Sequence, residues 1–324
     1  MSLLSSFLTS PPPSVGVEIA SDRVTAVSLA KHSPGWIVTA HATERIAPGV
    51  IVPSLNASNV HDARALGAAV RSVFDKLGGR PRRVGLVIPD TAAKVSLLRF
   101  DKVPDAADLD QLIRWQMRKA APFKPEEAQI SWTPAAPLPE GGREYLVTLA
   151  RMDIVDSYMR ACSEAGAEAG VVDLASLNLI NAALASGGEA ASGDTLLVHV
   201  APDYATLAIV RNRHLIFFRT RQLDESADLA SLAHQTAMYH EDRLNGANFG
   251  RVVLSGASAR VQAGSGQADA GERLRRTLEE RLGARVDPLD FRTAAAMRDR
   301  IAAGPDLLDS LAPAVGVVLR ERVA

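Results

Sequence analysis

Apolar and polar positions along this chain fall into two similar blocks. Val15-Gly16-Val17-Glu18-Ile19 and Val24-Thr25-Ala26-Val27 flank the turn Ala20-Ser21-Asp22-Arg23, and Leu197-Val198-His199-Val200 and Leu207-Ala208-Ile209-Val210 flank a second turn around Ala201-Pro202-Asp203. Apolar runs joined by short turns of small or polar residues predict β-hairpins. Each is followed by a further apolar stretch, at 36–40 and at 214–220. Helical spacing appears at Leu66, Val70, Val73, Phe74 and Leu77, and Gly78-Gly79 ends that helix. The stretch 104–121 carries Leu109, Leu112, Ile113, Gln116 and Met117 at helical spacing, with Asp105 or Asp108 placed to serve its N-terminus.

Further helices are predicted over 153–166, 176–184, 228–244 and 272–282, and a closing one from about Pro313. Short strands are predicted at 84–88, 94–100, 145–150, 170–173 and 251–254, with a short edge near Val286. The segment 133–142 reads as a Pro-rich loop, 187–193 as a hinge or domain boundary and 263–271 as flexible surface. Hairpins alternating with helices predict mixed sheets covered by helices, an α/β class.

Before the first hairpin, Leu3, Leu4, Phe7 and Leu8 fall on one helical face, and Pro11-Pro12-Pro13 forms a stiff spacer. Residues 1–13 therefore read as a frayed tail or as a short amphipathic docking segment for a partner or membrane surface.

The chain has 324 residues, 47% apolar and 23% charged, with a formal net charge of -1. That is enough for two or more domains and gives no bulk attraction for nucleic acid or anionic lipid. A single cysteine, Cys162, excludes an intrachain disulfide framework and reads as a packed thiol. No apolar run approaches the roughly 20 residues needed to span a bilayer. The seven histidines show no His-Glu-x-x-His pattern, and no Cys pair accompanies them, so the sequence does not call for a metal. No nucleophile elbow and no Walker loop is present. The basic runs Arg80-Pro81-Arg82-Arg83 and Arg273-Leu274-Arg275-Arg276 read as a solvated loop and helix face.

Four stretches together carry a family resemblance: the first hairpin; Ile113-Arg114-Trp115-Gln116 with Ala121-Pro122-Phe123; Leu149-Ala150-Arg151, Ala165-Gly166 and Val172-Asp173-Leu174; and Tyr239-His240, Val253-Leu254-Ser255-Gly256 and 314–320. Their order resembles the PilM family of type IV pilus assembly proteins, which is similar to FtsA. The resemblance covers nearly the whole chain after Ser14. It implies an actin-like (ribonuclease H-like) two-lobed ATPase fold with an inserted subdomain. The implied layout is a first lobe of 14–40, 150–186 and 305–324, an insertion at 41–149, and a second lobe at 187–304. Trp115 is expected in the core of the insertion, with Arg114 and Arg118 on another face where they could contact a peptide.

The resemblance also implies a nucleotide cleft between the hairpins, holding ATP with Mg²⁺. Backbone N–H groups in small-residue turns wrap phosphates, and acids hold the hydrated metal. The positions that match are Glu18, Ala20, Ser21 and Asp22 in the first loop, Ala201 and Asp203 in the second, and Ser255, Gly256 and Ala257 in the adenosine turn. Several depart from the family pattern. Glu18 stands for Asp, Ala20 and Ala201 for Gly, and Thr25 for Lys. His199 stands for the second-loop Asp, and Pro202 removes an N–H donor. The expectation is therefore a scaffold on the inner face of a membrane, cytoplasmic and peripheral, that binds the tail of a PilN-like inner-membrane protein. Pilus motor ATPases and the platform protein are implied as further partners. The alternatives are an ATP-driven switch of the same family and, less favoured, a sugar or acetate kinase.

Overall fold

The computed structural model describes residues 13–33, 35–187, 193–223, 228–257, 268–298 and 303–320. The tail 1–12 and most of the expected hinge, 188–192, lie outside the described residues.

Strands β1 (Val15–Ile19), β2 (Arg23–His32) and β3 (Gly35–Arg45) form an antiparallel meander. Strand β4 (Arg83–Ile88) runs parallel to β1, and β8 (Glu168–Leu174) runs parallel to β4. The second sheet repeats this plan. In it β9 (Thr195–Val200), β10 (Tyr204–Arg211) and β11 (His214–Gln222) form the meander, and β12 (Arg251–Ser255) and β13 (Val286–Pro288) add in parallel. The sheet orders are thus β3-β2-β1-β4-β8 and β11-β10-β9-β12-β13, with β14 (Ala295–Met297) added beside β3.

Two helices lie between the sheets, α4 (Ala175–Ser186) and α7 (Pro305–Leu319). Their Leu179, Leu311, Ala314 and Val318 share one core with Val27 and Val87 of the first sheet and with Leu197, Ala208 and Val253 of the second. The opposite face of the first sheet is covered by α1 (Ala63–Lys76) and α3 (Met152–Glu164), through Leu66, Val70, Phe74, Ile154 and Tyr158. The outer face of the second sheet is covered by α5 (Leu229–Leu244) and α6 (Ala268–Leu282). Asp62 caps α1 through the Ala65 N–H, and Asp228 caps α5 through the Ala230 N–H.

Helix α7 approaches β1 closely because Gly16 has no side chain. A Cβ there would lie 1.9 Å from the carbonyl oxygen of Ala314. Gly316 provides the matching clearance on α7, where a Cβ would lie 2.0 Å from the carbonyl oxygen of Asn178.

A three-stranded sheet, β5 (Ala93–Phe100), β7 (Arg143–Arg151) and β6 (Ala128–Pro137), is hydrogen-bonded separately from the two large ones, with β5 and β6 lying against β11. Helix α2 (Ala106–Lys119) packs on one face of it through Leu109, Ile113 and Met117.

Some sequence expectations need correction. The segment 41–149 is not one unit: β4 and α1 lie within it, yet they belong to the first sheet and its core. The separate body runs from β5 to β7. Likewise β14, inside the expected second lobe, pairs with β3. The first half of the expected Pro-rich loop, 133–137, is the end of strand β6, an edge position that tolerates Pro134 and Pro137. Helix α7 starts at Pro305, eight residues before the expected start, and carries Pro313 inside it. Burial of Leu308, Leu311 and Ala312 outweighs the hydrogen bond that Pro313 removes. Within the expected flexible surface, residues from Ala268 onward are helical.

Candidate functional site

The two hairpin turns meet. Each closes on itself in the same way, the Ala20 N–H donating to the Arg23 carbonyl (2.9 Å) and the Ala201 N–H to the Tyr204 carbonyl (2.8 Å). Ser21 Oγ then donates to Asp203 Oδ1 at 3.0 Å, joining turns 182 residues apart. Both small-residue N–H groups are therefore already occupied within their own turns.

Behind this contact the side chains are charged and buried. Glu18 faces Arg23, with Oε2 3.6 Å from Nη2, and Arg23 Nη1 lies 3.2 Å from Asp22 Oδ1. Burial pushes the Glu18 carboxyl up to about 7 despite the Arg23 charge. Across the cleft, burial holds the buried His199 down to about 4. The Tyr204 ring meets it edge-on at 5.7 Å. Thr25, at the position where the resemblance expects Lys, pairs with Thr43 Oγ1 at 3.2 Å.

Asp90 follows β4 and sits at the N-terminus of α4. It accepts from the Ser176 N–H at 2.9 Å, from Ser176 Oγ, and from Thr206 Oγ1 of β10 at 2.7 Å. The Asp90 N–H donates to Tyr204 Oη at 3.2 Å. Burial raises its carboxyl above the usual range, opposed by the Ser176 and Thr206 hydrogen bonds. One carboxylate thus ties the first sheet and a helix N-terminus to the second sheet. Replacing Asp90 with alanine is expected to leave the Ser176 N–H and two hydroxyls without this partner, at about 2–4 kcal/mol of stability; equal urea midpoints for D90A and wild type would contradict this.

The third part is the turn after β12. Gly256 has φ +82°, and a Cβ on it would lie 2.0 Å from the Val200 carbonyl oxygen. Its N–H donates to Asp309 Oδ1 at 2.7 Å, and Ser255 Oγ donates to the same oxygen at 2.6 Å. The carboxylate of α7 therefore occupies the donors that the resemblance offers to a nucleotide.

Of the expected nucleotide residues, Glu18, Ala20, Ser21, Ala201 and Asp203 line one small space, with Arg23, His199 and Tyr204. Asp22 pairs with Arg23, Ser255 and Gly256 are held by Asp309, and Ala257 packs against the second-lobe core. The space is about 10 Å³, the room of about one water molecule. Small-molecule sites are commonly about 300 Å³ or more. Sequence reasoning missed Arg23, Asp90, Tyr204 and Asp309. Asp90 carries a signal, a carboxylate just past Pro89 at the end of a buried apolar strand. Asp309 carried none, because it lies 54 residues from Ser255.

Cys162 is a packed thiol, pushed up to about 12 by burial. Trp115 does not belong to the core: it is 56% exposed. Among the described residues no helix is long and apolar enough to cross a membrane.

The family model for the type IV pilus assembly protein PilM matches residues 16–242. A chain solved as the PilM-PilN type IV pilus biogenesis complex is similar to this one over 95% of its length and 98% of that chain's, with 18% identity and a TM-score of 0.79. A Bacteroides thetaiotaomicron protein of actin-like ATPase fold and unknown function is similar over 89% and 93%, with 11% identity and a TM-score of 0.50. No curated protein matches. These likenesses establish the actin-like fold.

Proposed function

This chain belongs to the PilM family of type IV pilus assembly proteins, and from that premise we propose that it is a scaffold whose nucleotide cleft is degenerate. It sits on the cytoplasmic side of the inner membrane and binds the cytoplasmic tail of a PilN-like membrane protein. Pilus motor ATPases and the platform protein are its further neighbours.

One observation carries the reading of the cleft. The cation at its centre is Arg23, which lies beside Glu18 where the resemblance expects a metal. An internal guanidinium balances the Glu18 carboxylate without Mg²⁺, and Asp309 fills the Gly256 donor without a nucleotide. The second-loop position that would share the metal is the neutral, buried His199. The lobes close on one another through Ser21–Asp203 and Asp90–Thr206. An ATP-driven switch would have to part these contacts and displace Arg23.

The test is thermal unfolding of the full chain with PilN-like tail peptides, with and without millimolar Mg-ATP. The tail at a hundred times its Kd is expected to stabilise the protein by about 2.7 kcal/mol. Mg-ATP is expected to change neither the melting temperature nor the tail's effect. Stabilisation by Mg-ATP alone would establish the switch, and indifference to every tail would remove the scaffold reading.

A further inference from the structure

The outer face of α2 has an unusual composition. Leu112, Trp115 and Lys119 fall on one stripe at spacings of three and four residues. Leu112 is 38% exposed and Trp115 56%, although Ile113 and Met117 of the same helix are buried. The Lys119 ammonium lies 3.3 Å from the centre of the Trp115 ring. From Gln111 to Pro125 the chain contains Arg114, Arg118, Lys119 and Lys124 and no acidic residue, within a protein whose net charge is -1. Arg114 is paired with Asp110. Arg118, Lys119 and Lys124 are exposed and have no ion pair among the described residues. Lys94, which donates to the Ala120 carbonyl, adds a fourth cation at this helix end.

Compensation of the helix dipole accounts for cations at a C-terminus. It does not account for an indole held in water beside them. We propose that this face of α2 docks on an anionic phospholipid surface. Trp115 and Leu112 enter the headgroup boundary, while Arg118, Lys119 and Lys124 face lipid phosphates. Indole is an amphipathic ring suited to that depth, and long basic side chains reach headgroups from beside it. Charge complementarity selects anionic over neutral lipid. The shape selects a surface over a peptide, because these side chains stand on the outside of one helix, with its buried face on the sheet. The inference concerns a surface separate from the cleft and does not depend on the partner tail.

The experiment is co-sedimentation of the full chain, with no tail peptide present, on vesicles of phosphatidylcholine alone or mixed with phosphatidylglycerol. Tryptophan emission and its quenching by brominated lipid are read in parallel. The expected result is binding to the phosphatidylglycerol vesicles that salt releases, with quenching that disappears in W115F. R118E/K119E is expected to weaken binding by at least about fivefold for each charge altered. W115S is expected to weaken it without altering the salt dependence. Equal binding to neutral vesicles, or undiminished binding by R118E/K119E, overturns the proposal. A shift of Trp115 emission on adding a polyglutamate peptide, with none on adding anionic vesicles, also overturns it and assigns the face to an acidic protein segment.

Discussion

Gly16→Ala is expected to lose about 3 kcal/mol or more of stability, the upper end of the cost of overpacking a core. The added methyl would meet the Ala314 carbonyl at 1.9 Å and the Val317 side chain at 2.9 Å. The first of these is backbone, and α7 has no room to retreat: its other side is set against α4, where Gly316 already provides the clearance. The effect should appear as a lowered urea midpoint together with a changed near-ultraviolet dichroism. Gly35→Ala is the control, since a Cβ there meets only ordinary contacts at 3.7 Å and beyond. Equal midpoints for G16A and G35A would mean that α7 does not seat against β1 as described.

The second large effect is a dependence on pH, with two groups pulling in opposite directions. Glu18 titrates near 7 in the folded protein against 4.5 ordinarily. Between those values the folded state holds a proton that the unfolded state has lost, so Glu18 makes stability fall as pH rises. His199 titrates near 4 against 6.5 ordinarily. Between those values the unfolded state holds the proton, so His199 makes stability rise with pH. Each contribution is about 3 kcal/mol over its window, and in the wild type they oppose each other where the windows overlap. Single variants separate them. The stability of E18Q relative to wild type should rise by about 3 kcal/mol from pH 4.5 to 7. That of H199Q relative to wild type should fall by a similar amount from pH 4 to 6.5. A difference curve flat with pH for either variant would show that the group is not buried in the form described.

The hairpins, the helices on the sheets and the family were legible because they rest on local periodicity and on ordered motifs. Leu66, Val70, Val73 and Phe74 announced α1, and all four are fully buried. The edges of the sheets were less legible. Strand β6 contains two prolines that argue against a strand, and β14 has only three residues, so pairing partners rather than local preference define them. The cleft was legible in its turns but not in its centre. The turns that hold Ser21 and Asp203 are legible because turns are local, but the hydrogen bond between the two residues is not, because nothing local sets the distance between the lobes. Arg23 read as the last residue of a polar turn, and only the fold shows its guanidinium directed inward to Glu18. Trp115 reads as core because it stands beside a helix's apolar stripe, and a rotation of one position puts it outside.

The path of the chain has a consequence for how the protein is made. After building the second sheet the chain returns to the first, adding β14 to its edge and then placing α7 between the two sheets. Gly16, near the beginning, waits for Ala314, almost three hundred residues later. Neither lobe can close its inner face while α7 is still in the ribosome, so the shared core is a late event and its apolar walls stand open during synthesis. A chain stalled or cut before Pro305 would not yield a sound first lobe with a missing end. It would yield two sheets with exposed inner faces, a form for chaperones and proteases to handle.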